Sequence, residues 1–390
     1  MTALEKTLIQ LRDYLSEVGF VQVFKYIASI NHYPVNPYVV GEKSRDHILR
    51  YGAYSRGPRE DFAIASCLMI DERVSYVELS DPLKKLADQL LEVELLTLDD
   101  DEKLHMGNYQ LIAISGMPLF VDRRVNFNTS DVHEVYFGID TLLLCYYVDT
   151  LRLNRQSPVL DLGTGTGLIG FYLSQFTDRV TVTDIMPEPL KIVHMNRLLN
   201  GKTGTIEVCE ETFDETFDRG KKYEAVTFNP PYVVIPPELK APIFARGVGP
   251  DGLGYSRMLF ERLDDVLAPG GVAYLVSSML GTPVGPYFEI ELRNYVEEKG
   301  LQIDLFCDAR EDYTENTVSF RLLAGLLHQE NPEISPKECE ERLRVLHTET
   351  LGAQCNLLTV ATIRRADRQA PRLRVFNRWL TAPHGAMPAQ

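Results

Sequence analysis

Residues 159–162 form a short apolar segment that runs straight into three alternating glycines, Gly163, Gly165 and Gly167, and no other part of the sequence restricts the fold as strongly. Glycine is required where the backbone adopts a positive φ or approaches a ligand closely. The first N–H groups of a helix that begins after such a turn are available to a ligand. The pattern therefore predicts a strand, a ligand-binding turn and a helix, with a tight turn that binds nothing as the alternative.

Strand-like and helix-like segments alternate through the C-terminal part of the chain. Apolar strands are predicted at residues 157–162, 179–185, 205–209, 224–228, 271–278, 301–306 and 357–363. Helices are predicted between the first three strands, at residues 167–176 and 188–200. Because parallel strands need crossover connections, which are usually helical, this alternation indicates an α/β fold with helices on both faces of a parallel sheet.

The chain has 390 residues, which is more than one ordinary domain, so we expect two. Residues 1–125 are predicted to form a mainly helical, winged-helix-like domain, because leucines at helical spacing and a helix at 81–94 precede three short strand-like segments. Residues 126–390 form the second domain, after a linker near 124–134. The N-terminal domain would bind a substrate or a partner.

A stretch of helical character at about residues 317–351 separates the last two predicted strands. A short hairpin would be enough to join two such strands, so this stretch is predicted to be a helical insertion. It would either cover the active site or pack at the edge of the sheet, and the sequence favours neither alternative.

The composition limits the partners of the chain. Lys and Arg number 40 against 55 Asp and Glu, a formal net charge of −15, which disfavours passive binding to nucleic acid or to an anionic membrane. No apolar run approaches the roughly 20 residues that span a bilayer, and the N-terminus does not have the pattern of a signal peptide. Six scattered cysteines show no metal-ligand spacing and indicate free thiols. We expect a soluble, cytoplasmic protein without a metal.

Two carboxylates are placed to bind a ligand or to order its site. Asp161 precedes the first glycine, where it can order the turn and help bind a cationic ligand. The glycines also match a dinucleotide fingerprint that ends at Gly170, but a carboxylate there would repel a pyrophosphate. Asp184 ends the second predicted strand and is placed to accept hydrogen bonds from ribose hydroxyls. Binders of nicotinamide and of S-adenosyl-L-methionine (SAM) both use this arrangement, so it indicates a nucleoside only.

The third predicted strand ends in acidic residues and an aromatic residue. Glu210 or Glu211 could accept a hydrogen bond from the amino group of an adenine, and Phe213 could stack on the adenine ring. The alternative for each residue is a solvated acidic loop.

The fourth predicted strand ends in Asn229-Pro230-Pro231-Tyr232, the most specific motif in the chain. Two consecutive prolines fix φ, remove two N–H donors and make the preceding residues extended. The Asn229 side-chain oxygen and the Pro230 carbonyl then become fixed acceptors. An NH₂ group that donates to both would be oriented for attack on a methyl donor, and the Tyr232 ring can stack on a planar substrate. An ordinary proline turn is the alternative.

With these motifs the chain resembles the class I SAM-dependent methyltransferases of the NPPY group, above all the release-factor glutamine N5-methyltransferases and their adenine- and guanine-modifying relatives. The resemblance covers about residues 130–310 and the strand at 357–363, and it implies a Rossmann-like, seven-stranded sheet. It includes the GPDGLGYSRML segment at 249–259, which is similar to the segment after the turn in the glutamine enzymes. Residues 1–125 and 317–351, and Glu211-Thr212-Phe213 in place of the usual acid-Leu-Phe, depart from the family pattern.

The resemblance implies SAM as the cofactor and assigns roles to the motif residues. The catalytic residues would be Asn229, Pro230 and Tyr232. The cofactor-binding residues would be Phe137, Thr141, Asp161, Gly163, Thr164, Gly165, Gly167, Asp184, Ile185, Glu211, Phe213 and Asn229. Direct transfer needs no metal and no covalent nucleophile. The predicted activity is N-methylation of a planar amide or amine nitrogen, on a protein glutamine or on a small molecule.

Other functions stay open. A nucleic-acid adenine-N6 or guanine-N2 methyltransferase would use the same turn on an unpaired or flipped base. The C-terminal tail supports it with interleaved arginines and aromatics, Arg364, Arg365, Arg368, Arg372, Arg374, Phe376, Arg378 and Trp379. A basic tail that neutralises an acidic body is the alternative. Three further hypotheses are non-methyl chemistry on SAM, a binding module without catalysis, and an oxidoreductase. The last of these leaves the Asn-Pro-Pro-Tyr motif unexplained. The oligomeric state is not predicted.

Overall fold

The computed structural model describes residues 1–30, 60–123, 135–314, 317–366 and 370–378. The predicted linker at 124–134 and the tail residues Arg368 and Trp379 lie outside these ranges. The chain forms two compact units. The first comprises residues 1–139, 165–168 and 186–208, and the second comprises residues 140–164, 169–185 and 209–390.

The described residues contain helices in both units. They are α1 (Ala3–Glu17), α2 (Phe20–Ile30), α3 (Ala63–Ile70), α4 (Asp81–Glu92), α5 (Ile139–Tyr147), α6 (Leu168–Leu173), α7 (Pro187–Leu199), α8 (Phe213–Asp218), α9 (Gly254–Val266), α10 (Glu289–Lys299), α11 (Val318–Glu330) and α12 (Pro336–Arg344). A π-helical turn, Val345–Thr350, continues α12.

Strands in the described ranges belong to three sheets. They are β1 (Val74–Ser75), β2 (Leu96–Leu98), β3 (Lys103–Met106), β4 (Tyr109–Ile114), β5 (Met117–Asp122), β6 (Val159–Leu162), β7 (Val180–Asp184), β8 (Ile206–Glu210), β9 (Tyr223–Phe228), β10 (Leu267–Thr282), β11 (Gly285–Pro286), β12 (Leu301–Asp312), β13 (Cys355–Arg365) and β14 (Arg372–Asn377).

The first unit combines helices with two small antiparallel sheets. Thr2 caps α1 in a capping box with Glu5, and the leucine stripe that predicted this helix is buried at Leu8, Leu11 and Leu15. Strands β1, β3 and β2 form one sheet in that order, and β4 pairs with β5 in a hairpin. The predicted order of helices followed by short strands is therefore present. The winged-helix comparison and the domain boundary after residue 125 stay predictions.

Helix α7 belongs to the first unit and is attached to the hairpin by side-chain amides. The Asn196 side chain accepts from the Phe120 N–H at 2.7 Å and donates to the Phe120 carbonyl at 3.0 Å. Asn200 donates to the Pro118 carbonyl at 2.8 Å. Asn196 is fully buried, so these bonds replace water for both the amide and the strand. The N-terminal residues thus share a compact unit with a helix from the predicted methyltransferase domain.

A mixed sheet forms the centre of the second unit, with the strand order β14-β12-β13-β10-β9-β6-β7-β8 and β11 paired with β10. Strand β6 runs parallel to β7 and β9, β9 runs parallel to β10, and β13 runs antiparallel to both of its neighbours. The central strands are largely buried on both faces and pack against α9 and α10 through residues such as Leu160, Phe228 and Leu275. This is the Rossmann-like class I methyltransferase fold.

In the part of the chain that the structure describes, this sheet has nine strands where seven were predicted. The additional strands are β11 and β14, and β14 forms from the arginine-rich tail by pairing in parallel with β12. The helical insertion therefore precedes the second-to-last strand and not the last one. Phe376 stacks on Phe306 at 4.8 Å, which explains how a segment predicted to be a tail joins the sheet.

The insertion forms α11, α12 and the π-helical turn. It packs against residues 233–246, the segment that follows the Asn-Pro-Pro-Tyr turn, through a cluster that includes Phe320, Leu327 and Leu343. Within the described ranges, no helix is long and apolar enough to cross a membrane.

Candidate active site

The register of the central strands places three predicted site residues side by side. Leu162 of β6 lies opposite Thr183 of β7 and opposite Phe228 of β9. The residues that follow these three are Gly163, Asp184 and Asn229. Adjacent strands therefore end at the same level, at the first glycine of the turn, at the carboxylate predicted to bind ribose and at the predicted catalytic amide. This is the carboxyl edge, where open α/β sheets bind ligands.

The three alternating glycines adopt the backbone conformation that the sequence predicted. Their φ angles are +63° at Gly163, +53° at Gly165 and +78° at Gly167, in the left-handed region that disfavours other residues. A Cβ at Gly163 would lie 3.2 Å from the Phe213 ring, so a side chain there would meet this ring as well as strain the backbone. Gly165 and Gly167 belong to the first unit, as does Phe137, which is buried.

Asp161 orders the turn from inside the protein. One of its oxygens accepts from the Thr164 hydroxyl at 2.5 Å and from the Gly170 N–H at 3.2 Å, and the other accepts from the Thr227 hydroxyl at 2.9 Å. Burial raises the pKa of this carboxyl to about 7, although these hydrogen bonds oppose the shift. Both oxygens are engaged within the chain, so the geometry favours turn ordering over direct binding of a cation.

Asp184, Ile185 and Phe213 lie at the next positions along the edge. Asp184 is half-buried, Ile185 is exposed, and the Asp184 carbonyl accepts from the Glu211 N–H at 3.0 Å. The Phe213 ring meets Phe228 edge to face at 5.0 Å beside Gly163. These contacts bring the predicted ribose and adenine residues to one place.

Glu211 has other partners in the structure. Its carboxylate pairs with the Arg219 Nε at 2.8 Å and accepts from the Thr216 hydroxyl at 3.3 Å. Glu210, the other acid proposed for the adenine amino group, is the exposed last residue of β8. The structure thus gives Glu211 a local ion pair, which the sequence analysis did not predict.

The Asn-Pro-Pro-Tyr turn is held by the start of α5. Asn229 Nδ2 donates to Asp140 Oδ2 at 3.1 Å and to Thr141 Oγ1 at 3.3 Å. The Tyr232 hydroxyl donates to the same Asp140 oxygen at 2.8 Å. Because an ionised carboxylate only accepts hydrogen bonds, the nitrogen of the Asn229 amide faces Asp140, and its oxygen lies on the other side.

Asp140 is the site residue that the sequence analysis missed. It is 1% exposed, and its Oδ1 is buried without a partner among the described residues. It directly precedes Thr141, which the resemblance implies as a cofactor-binding residue, but the resemblance did not assign a role to Asp140 itself. No spacing signal joins Asp140 to a turn 89 residues away.

A glycine-rich loop supports the turn from behind. Gly252 has a φ of +78°, and a Cβ there would lie 2.3 Å from the Tyr232 carbonyl oxygen. A Cβ at Gly247 would lie 2.3 Å from the Gly252 carbonyl oxygen. Glycine at 252 lets the loop backbone pack directly on the turn, which gives a physical reason for this glycine of the GPDGLG segment, and glycine at 247 lets the chain pack on Gly252 in turn.

Three tail arginines in the described ranges pair with carboxylates. Arg374 makes two bonds of 2.6 Å to Asp304, Arg378 pairs with Asp308 at 2.9 Å, and Arg365 pairs with Asp264. With Phe376 stacked in the sheet, these side chains have structural partners. This arrangement agrees with the alternative that the tail neutralises an acidic body.

Comparison with known proteins supports the assignment that the motifs suggested. The methyltransferase small domain family matches residues 140–238. Release factor glutamine methyltransferases are 25% identical over 268 residues in Clostridium acetobutylicum, covering 64% of this chain and 91% of that protein, and 30% identical over 149 residues in Deinococcus radiodurans, covering 34% and 50%. The tRNA1(Val) (adenine(37)-N6)-methyltransferase of Parabacteroides distasonis is 32% identical over 149 residues, covering 36% and 58%. Residues 140–238 therefore match the methyltransferase small domain family, and the relatives support a SAM-dependent methyltransferase.

Proposed function

We propose that the chain methylates a planar amide or amine nitrogen on a protein glutamine or on a small molecule. The orientation of the Asn229 amide carries this proposal. Its nitrogen is used by Asp140 and Thr141, so its oxygen is the group available to a substrate N–H. An acceptor fixed in this way suits an NH₂ group, because the two hydrogens of such a group need two acceptors in a defined geometry.

The residues at the sheet edge fit SAM. Because Gly163 has no Cβ, no side chain at this position covers the Phe213 ring, and Asp184 lies at the end of the neighbouring strand. Gly163 and Phe213 would hold the adenine side of the cofactor, and Asp184 would accept from its ribose hydroxyls. SAM supplies an electrophilic methyl group on a sulfonium sulfur.

The chain's own residues then position the acceptor. The Asn229 Oδ1 and the Pro230 carbonyl accept the two hydrogens of the substrate nitrogen, which directs its lone pair toward the methyl group. The Tyr232 ring stacks on the planar group, and its hydroxyl bond to Asp140 fixes the ring. Asn229, Pro230 and Tyr232 would thus hold the nitrogen toward the methyl group that SAM would supply. The methyl carbon would exchange its bond to sulfur for a bond to this nitrogen, and the extra proton on the nitrogen would leave to water.

The relatives support a planar nitrogen, since their names specify glutamine in one group and adenine-N6 in the other. Two observations favour protein or small-molecule acceptors over nucleic acid. The chain carries a net charge of −15, and three tail arginines, Arg365, Arg374 and Arg378, are paired with carboxylates.

Methyl-tritiated SAM and cell extract test the proposal. The wild-type protein is compared with Asn229→Ala and with Asn356→Ala, a half-buried asparagine of β13 outside the turn. We expect label in a protease-sensitive or small-molecule fraction, lost in Asn229→Ala and kept in Asn356→Ala. RNase-sensitive label would establish the nucleic-acid alternative. Label that survives Asn229→Ala, or SAM consumption without label, would refute the proposed role of the turn.

A further inference from the structure

The segment after the turn, residues 233–246, contains neither helix nor strand, and we call it the post-turn loop. Three of its residues are prolines, which cannot donate to a backbone ladder. Carbonyl groups of the loop that no backbone N–H reaches therefore need side-chain partners. The Arg246 guanidinium supplies some of them, donating to the carbonyls of Ile235 at 2.9 Å and Pro236 at 3.3 Å and to that of Leu239.

The insertion supplies the other side-chain partners. His347 Nε2 donates to the Val234 carbonyl at 2.8 Å. The Asn331 side chain accepts from the Lys240 N–H at 2.9 Å and donates to the Lys240 carbonyl at 2.9 Å. His347 is 6% exposed and Asn331 is 2% exposed. Buried hydrogen bonds of this kind are costly to break, because the polar groups they leave behind have no water.

The position of His347 is itself fixed from two sides. The Tyr313 hydroxyl donates to His347 Nδ1 at 2.8 Å, which leaves Nε2 as the donor of a neutral ring. The ring also meets Phe320 edge to face at 5.1 Å. His347 lies on the π-helical turn, Val345–Thr350, and such turns are frequent at functional sites.

The post-turn loop and the insertion also share a hydrophobic core. Ile235, Leu239 and Ala245 of the loop pack with Phe320, Ala324, Leu327, Cys339 and Leu343 of the insertion. The loop therefore buries its apolar side chains against the insertion. At its start, the Val233 N–H donates to the Ala245 carbonyl at 2.9 Å, so the loop is closed directly after Tyr232.

We propose that the insertion holds the post-turn loop as a fixed wall of the methyl-acceptor site, with His347 and Asn331 as positioning residues. The assignment of this wall to the acceptor rests on the proposed function, because the loop leaves the sheet edge at the Asn-Pro-Pro-Tyr turn. The insertion is then neither a cover nor an embellishment of the sheet edge. It determines where the backbone beside the acceptor lies.

Hydrogen–deuterium exchange of the full chain tests the mechanical part of this proposal. The variants are His347→Leu and Asn331→Ala. The control is His328→Leu, which changes a histidine of the same insertion whose Nδ1 bonds to the Ile334 carbonyl inside the insertion. We expect exchange in peptides of residues 233–246 to rise about tenfold in both variants, as for loss of one buried hydrogen bond. In both variants, peptides of β6 and β7 should keep the wild-type exchange rate. In the control variant, all peptides outside the insertion should keep the wild-type exchange rate.

Methyl transfer and SAM binding test the functional part. In His347→Leu and Asn331→Ala we expect the SAM dissociation constant to stay within twofold of wild type, while kcat/KM for the labelled acceptor falls about tenfold. Unchanged exchange in residues 233–246 would overturn the proposal, as would faster exchange with unchanged methyl transfer. If the wild-type chain transfers no label at all, the proposed function fails, and the exchange measurement still decides whether the insertion holds the loop.

Discussion

Replacement of Asp140 tests the geometry of the site most directly. Asp140 Oδ2 accepts hydrogen bonds from Asn229 Nδ2 at 3.1 Å and from the Tyr232 hydroxyl at 2.8 Å. Asp140→Ala removes the acceptor that keeps the Asn229 nitrogen turned away from the substrate. The amide can then rotate, and its oxygen is no longer held where a substrate N–H needs it.

The magnitude follows from the bonds that are lost. Hydrogen bonds to a charged group contribute about 1.5–3 kcal/mol. If one such contribution is lost from the transition state, kcat falls roughly 10- to 150-fold. Asp140→Asn keeps an oxygen that can accept both bonds but loses the charge, so we expect a smaller loss, of about tenfold. The SAM dissociation constant should change less than twofold in both variants.

Single-turnover transfer of labelled methyl, with SAM binding by calorimetry, measures these effects. The control is Asp149→Ala, an exposed carboxylate that follows the same helix. Thermal unfolding shows that each variant is folded. Because Asp140 is proposed to act through Asn229 and Tyr232, the double variant Asp140→Ala with Asn229→Ala should lose less activity than the product of the two single losses. An Asp140→Ala enzyme that keeps more than half of the wild-type rate would refute this reasoning.

Three further outcomes are expected. Gly163→Ala strains a left-handed residue against a neighbouring aromatic ring and should weaken SAM binding at least tenfold by calorimetry, whereas Gly270→Ala, also left-handed but with nothing within 4 Å, should not. Burial raises the pKa of Asp161 to about 7, so the folded state binds more protons than the unfolded state between about pH 4 and 7. Chemical denaturation should therefore show that the stability advantage of wild type over Asp161→Asn shrinks as the pH rises from 5 to 8, and an unchanged advantage would contradict the assigned shift. Arg374→Ala leaves the nearly buried Asp304 carboxylate unpaired and should lower the free energy of unfolding by about 1–3 kcal/mol without changing methyl transfer.

Much of the site could be predicted because its signals are local. The glycines, the acid at the end of the second strand and the Asn-Pro-Pro-Tyr turn each follow an apolar strand within a few residues. Parallel strands of one sheet end at a common edge, so the order of strands and helices already implies that these motifs meet. The register of Leu162 with Thr183 and Phe228 shows that they leave the sheet at the same level.

The number of strands, and the pairing of the C-terminal tail with β12 as an additional strand, could not be predicted in this way. Residues 372–375 alternate arginine with apolar residues, a pattern equally typical of a nucleic-acid-binding tail and of an exposed edge strand. The difference lies in their partners, Phe306 for Phe376 and Asp304 for Arg374, which are 70 residues away along the chain. Only the packing of β12 selects between the two.

The sequence by itself predicted the groups on which the proposed chemistry depends: a strand–glycine–helix turn, a proposed ribose-binding carboxylate and a proposed acceptor turn. Each is specified by residue types whose backbone or side-chain properties act locally. The tertiary structure decided how those groups are oriented. Asp140 orients Asn229, and His347 holds the Val234 carbonyl 113 residues earlier in the chain. Such pairings depend on sheet register and on the packing of an insertion, which are cooperative properties of the whole fold and leave no pattern in the residues nearby.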